Sequence, residues 1–215
     1  MSFLNQLKSQ AQAVQSQQNT QQQNLEENTK QVELACRTVQ HYLGELARHL
    51  EVLSPASPAL SLDGKTPWPP MKLVAFRVDA RRKTLRNKEV FDYLAMGWQI
   101  VPRSGPPVAG SVTVNFPPDL QRVESRLAGG QVRHERKELR HPEKGTLQAI
   151  KFDYLTEARA SIMVTTDHDS GNLAFRLANV SGFGVQTATW PAAKIQSGTL
   201  DELAKLIVGE PSQFV

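Results

Sequence analysis

The sequence predicts an α+β protein: a long N-terminal helix, then a mainly antiparallel β domain of six or seven strands with a C-terminal helix packed on it. Three observations predict it. Residues 2–53 contain no Pro and a single Gly, Gly44, a longer stretch without a breaker than a globular helix needs. Residues 54–70 hold five prolines, Pro55, Pro58, Pro67, Pro69 and Pro70, whose fixed φ and missing N–H exclude a helix there. Residues 71–190 are short apolar and branched runs separated by Gly, Asn and Asp, the pattern of strands joined by turns.

The helix reads as coiled-coil-like but imperfect. A heptad begun at Leu4 places Leu4, Ala11, Gln18, Leu25, Val32, Val39, Leu46 and Leu53 at position a, seven of eight apolar. Position d holds Leu7, Val14, Gln21, Asn28, Ala35, Tyr42 and His49, of which four of seven are apolar, so the seam is broken. In the second half, Val32, Ala35, Val39, Leu43, Leu46, Leu50 and Leu53 step by three or four and make one continuous stripe. That stripe is the expected face for a second copy or a protein partner, with packing onto the chain's own β domain as the alternative. Residues 15–24 contain neither an apolar nor a charged side chain. They predict a frayed or hinge-like stretch, or a polar seam within an oligomer. Ahead of them, Phe3, Leu4, Leu7, Ala11 and Val14 form a short apolar patch, suited to docking or left as a disordered tail.

After the 54–70 linker, residues 71–79 read as a strand. A basic connection, 81–88, leads to a second strand at 90–101, with Gly97 a candidate bulge. Residues 111–116 alternate cleanly, and Pro117-Pro118-Asp119 opens a short helix over 120–127 that Gly129-Gly130 ends. The charged run 131–146 has no apolar period and reads as a loop, an exposed edge hairpin or a helix turn. Strands follow at 147–155, 158–166, 172–180 and 182–190, with Asp167–Asn172 as a hairpin turn. Thr199 and Glu202 suggest a capping box for a final helix, 200–208, whose apolar face is Leu200, Leu203, Leu206 and Ile207.

Charge is uneven. The chain carries 25 Lys/Arg and 21 Asp/Glu, a net of +4, and residues 71–146 alone carry fifteen against eight. Within them Arg77, Arg81, Arg82, Lys83, Arg86 and Lys88 crowd twelve positions with one acid, Asp79. On a hairpin, such a finger suits phosphates or nucleic acid, with Phe91 and Tyr93 nearby for stacking. The simpler reading is a solvated hairpin tip.

The chemical motifs are weak. Asp167-x-Asp169-x-Gly171 opens like a calcium loop, but the position of the closing Glu holds Ala178. Asp153, Glu157 and His168 form a conceivable acid/base set without any spacing that fixes them together. His134 and His141 have no third ligand nearby. The chain has no G-x-S-x-G, no G-x-G-x-x-G and no phosphate-binding loop. The single cysteine, Cys36, excludes an intrachain disulfide. No catalytic residue, metal ligand or cofactor is therefore expected. The reading leans away from an enzyme, with a small-molecule enzyme as the third possibility. The start of the chain lacks a signal-peptide pattern and no run is long and apolar enough to span a membrane. With so little cysteine the expected compartment is the cytoplasm. The expected role is a non-catalytic interaction or assembly protein that oligomerises or docks through its N-terminal helix and presents a β-rich binding domain. A nucleic-acid-associated protein using the 77–88 hairpin is the alternative.

Overall fold

A computed structural model describes residues 3–215; Met1, Ser2 and the side chain of Leu4 lie outside the described residues. Helix α1, Phe3–Leu53, runs for 51 residues, about 76 Å at 1.5 Å per residue. It passes unbroken through the Gln-rich stretch, where fraying or a hinge was expected. Gln is a good helix former, every residue from 15 to 24 is exposed, and so no packing demand opposes the helix there.

Eight strands follow, in two antiparallel sheets. Strands β1 (Met71–Leu85), β2 (Lys88–Pro102), β6 (Ala158–Asp167), β7 (Asn172–Ala178) and β8 (Val185–Pro191) form a five-stranded sheet in the order β1-β2-β6-β7-β8. Strands β3 (Ala109–Val114), β4 (His134–Arg140) and β5 (Leu147–Leu155) form the second, in the order β3-β5-β4. Helix α2 spans Pro117–Gly129 and α3 spans Ser197–Val208, preceded by a single 3-10 turn, Ala192–Lys194. The strand beyond the expected six or seven is β4, drawn from the charged run. All seven of its residues are exposed, so it carries no apolar period to read. Its charges suit an edge that must not pair with another chain.

The first hairpin is longer than its apolar residues suggest. Strand β1 continues to Leu85, and only Arg86 and Asn87 turn, with φ of 49° and 62°, the positive values a tight two-residue hairpin requires. Residues 81–85 of the expected basic connection are thus strand. Gly97 is not a bulge; it pairs regularly with Arg77 and Ser161. The irregularities fall elsewhere, at Ala75 and Phe76 opposite Trp98 and at Asp92 between Arg81 and Arg82's partners.

The Pro-rich 54–70 segment is a packed strap. Leu60, Leu62 and Trp68 are buried, the Trp68 ring stacks on Tyr154 with centroids 5.7 Å apart, and the Trp68 backbone N–H donates to Leu60 O at 2.8 Å. At the other end, α3 begins at Ser197, two residues before the expected N-cap. Thr199 Oγ1 donates to Lys194 O at 2.9 Å, and Glu202 Oε2 accepts the Gln213 N–H at 2.8 Å. Instead of closing a capping box, Glu202 holds the C-terminal tail, whose Phe214 is buried edge-on against Phe175, 5.1 Å between centroids.

One continuous core results. Helix α1 lies against β1 and β2 and also touches α3 and the 3-10 turn. Cross-strand rows such as Met96, Ile162 and Leu177 face this core. The alternate rows, such as Arg77, Gly97 and Ser161, face the opposite side of the five-stranded sheet. No helix among the described residues is long and apolar enough to cross a membrane.

Candidate functional site

Helix α1 divides into a packed half and a projecting half. Val32, Ala35, Val39, Leu43 and Leu50 are 0–3 % exposed. Leu46 is half-buried and Leu53, past the end of the packed face, is exposed. The stripe expected to meet a partner therefore meets the chain's own domain over most of its length. Where it is filled in this way, from Val32 to Leu50, the face has little apolar surface left to offer a second chain. The physical reason is simple: a sheet with one apolar face needs a cover, and this stripe is the longest one in the chain.

Hydrogen bonds and ion pairs fix the packed half. Glu33 Oε1 accepts the Phe91 N–H at 2.7 Å and lies 3.2 Å from His168 Nε2. His168 is 3 % exposed. The Arg82 guanidinium sits 4.2 Å from the centroid of the Phe91 ring and 3.9 Å from Glu33 Oε2. Asn28 Nδ2 donates to Asp169 O at 2.7 Å, and Arg86 pairs with the Asp169 carboxylate. Further along, Glu51 Oε2 accepts the Phe76 N–H at 2.9 Å. Tyr42 Oη donates to Asp201 on α3 at 2.7 Å. Burial, then the Asp201 hydrogen bond and charge, push the Tyr42 phenol up. Cys36 lies within the packed face, and burial, then the Glu33 charge, push its thiol up to about 12. At that value it is a protonated, inert side chain at neutral pH.

The projecting half is bare. Apart from the Leu4 side chain, which is not described, every residue from Phe3 to Asn24 is exposed. Phe3 is 73 %, Leu7 45 % and Val14 54 % exposed. Leu7, Ala11, Val14, Gln18 and Leu25 advance by three, four or seven residues and lead directly into Val32. They thus lie on the same face of α1 that the sheet covers further on. Residues 3–25 carry one charge, Lys8. Where the arm meets the body, a groove of about 840 Å³ opens between α1 and the β1–β2 hairpin tip, lined by Leu25, Leu34, Arg37, Leu85, Lys88 and Val90 among others.

The six cations of the 77–88 cluster are not one finger. Arg82, Lys83 and Arg86 are engaged by Glu33, Asp92 and Asp169. Arg77, Arg81 and Lys88 make no ion pair among the described residues. Arg77 and Arg81 stand on the sheet face turned away from α1, and Lys88 borders the groove. On that outer face Arg77 lines a cleft of about 320 Å³ with Gly97, Gln99, Gln131, Arg159 and Ser161. The sequence did not point to Arg159, which stands alone among apolar and small residues of β6 and gains meaning only from strand order.

The imagined acid/base set is dispersed. Asp153 pairs with Lys137 and Lys151 in the small sheet, and Glu157 pairs with Arg133. Glu157 precedes β6 and His168 follows it, so ten residues of strand, about 33 Å, separate the two. The Asp167–Asn172 segment is a hairpin turn in which Asp167 Oδ1 accepts the N–H groups of Asp169 and Ser170. His134 Nδ1 contacts Val132 O, and His141 Nδ1 accepts backbone N–H groups from Glu143 and Lys144. Among the described residues no three His, Cys, Asp or Glu side chains converge as metal ligands. Comparison of the chain with protein-family models, with curated proteins and with solved structures finds no match.

Proposed function

We propose that this chain is a non-catalytic assembly protein that pairs with a second copy through residues 3–25 of α1 and presents its β-rich body as a binding domain. One observation carries this reading: a single apolar face of α1 is covered by the chain's own sheet over Val32–Leu50 and left uncovered over Leu7–Gln21. An exposed helix with so little to bury in its own chain gains stability only by burying that face elsewhere. The near absence of charge on the arm lets two identical copies approach without like-charge repulsion.

Sterics favour an antiparallel pair. From Asn28 onward the body lies on the face that would form the seam, so a parallel partner's helix would run into it. Antiparallel arms place the two bodies at opposite ends. Centring the pair on Val14 sets Leu7 against Gln21 and Ala11 against Gln17, beside Gln18. It also brings Phe3 to Leu25, at the mouth of the helix–hairpin groove. The arrangement is isologous and closes at two copies. The seam is about three heptads with Gln at two positions, the short end for a coiled coil, so the pairing is expected to be concentration-dependent.

Light scattering over a range of protein concentrations tests this reading. The mass should rise from 23.9 kDa toward twice that value. The variant Leu7→Glu/Val14→Glu should stay at the monomer mass with the thermal melt of dilute, unpaired wild type. A wild-type chain that remains monomeric at all concentrations, or a variant that assembles equally well, would contradict it.

A further inference from the structure

The geometry points to a phosphate-binding site on the outer face of the five-stranded sheet, held by Arg77 and Arg159. Three strands and one loop build it. Arg77 on β1 pairs with Gly97 on β2, and Gln99, two residues further along β2 on the same face, pairs with Arg159 on β6. The two arginines are therefore two strand spacings apart, about 10 Å, and about 7 Å apart along the strands. Between them lies Gly97, where no side chain stands. A Cβ there would approach nothing closer than Ala160 O at 3.8 Å, so the space above the strand is open. Extended arginine side chains can reach across it from both sides.

The lining matches an anion. It offers two guanidinium groups, the Gln99 and Gln131 amides and the Ser161 hydroxyl, and includes no carboxylate. Neither arginine makes an ion pair among the described residues, and both are exposed. Elsewhere in the same region the sequence supplies an acid for its cations: Arg133, at the adjoining hollow, is taken by Glu157. Planar guanidinium forks are the groups that bind phosphate oxygens two at a time. The cleft, about 320 Å³, is at the small end of ligand sites and joins a hollow of about 270 Å³ through Gln99, Gln131 and Arg159. There is room for one phosphate group and part of whatever carries it. That carrier is a small phosphorylated molecule or a nucleic-acid backbone, both of which present the same oxygens to the same arginines.

Calorimetric titration of the full chain with inorganic pyrophosphate at low salt tests the site, with a single-stranded oligonucleotide followed by fluorescence anisotropy as the second arm. Saturable one-to-one pyrophosphate binding is expected. It should weaken at least tenfold in Arg77→Ala/Arg159→Ala and in Gly97→Asp, which places a carboxylate between the arginines. Arg81→Ala/Arg176→Ala, on the same face but outside the lining, should bind as wild type. Oligonucleotide binding that pyrophosphate displaces and the Arg77/Arg159 pair abolishes identifies nucleic acid as the carrier. Pyrophosphate binding without oligonucleotide binding identifies a small molecule. Absence of both, or binding that survives loss of both arginines, overturns the site. Because these residues lie on the side of the sheet away from α1, Leu7→Glu/Val14→Glu should bind pyrophosphate normally, which separates this outcome from that of the assembly test.

Discussion

Replacing Leu43 by Ala isolates the packed half of α1. The Leu43 side chain is fully buried where the helix crosses the sheet. Leu and Ala are both strong helix formers, so the substitution barely alters helix propensity and its cost reports packing. Removing a fully buried Leu costs about 3 kcal/mol, within a range of roughly 2–5, from lost transfer energy and the cavity left behind. For a chain of this length that lowers the melting temperature by about 6–12 °C. Val14→Ala is the internal control. Its side chain is 54 % exposed, so below the assembly concentration it should change stability by no more than about 0.5 kcal/mol. Urea denaturation followed by circular dichroism reads both. A Leu43→Ala chain within 0.5 kcal/mol of wild type would refute the claim that this stripe belongs to the core, as would a Val14→Ala loss of equal size.

Three further outcomes are expected. Glu33→Ala leaves the Phe91 N–H and His168 without their partner in a largely buried place, at a cost of about 1–3 kcal/mol; Glu33→Gln, which keeps an acceptor for the Phe91 N–H, should recover part of it in the same denaturation assay. Cys36, raised to about 12 by burial first and by Glu33 second, should resist a thiol reagent at pH 8 in the native chain and react with one equivalent after unfolding in guanidinium. At Asp63, burial pushes the carboxyl up, but hydrogen bonds from the Thr66 and Lys65 N–H groups and the Ser61 and Thr66 hydroxyls outweigh it and hold the group at about 2, below its ordinary 3.8. A folded-state value below the unfolded one gives stability that is full above about pH 4 and lost as the pH falls toward 2; Asp63→Asn should remove that part of the acid dependence, as a thermal melt at each pH would reveal.

Much of the architecture was legible because it rests on local patterning. Strand β5 was expected at 147–155 and forms there, since its alternation is clean and Gly145 precedes it. The final helix and the Asp167–Asn172 turn follow from equally local signals. Other features depended on what the elements meet. Strand β4 buries nothing, so only its neighbour β5 makes it a strand. Residues 54–70 carry prolines typical of a linker, yet Leu60, Leu62 and Trp68 find a core to enter. Thr199 and Glu202 have capping-box spacing, but the helix starts at Ser197 and the tail claims Glu202. The apolar stripe of α1 was visible throughout; which part the sheet covers was not, because the sheet's extent is set by the long β1–β2 hairpin. The Arg77–Arg159 cleft joins residues 82 positions apart and is defined by register alone.

Cysteine cross-linking of the arm tests antiparallel self-pairing most directly. Leu7→Cys and Gln21→Cys chains, mixed and mildly oxidised, should form a disulfide between the two variants, while neither forms one with itself; the buried Cys36 should take no part. Self-cross-linking of Leu7→Cys would show a parallel pair, and a mixture that stays uncross-linked at high concentration would show that the arm does not pair with a second copy at all.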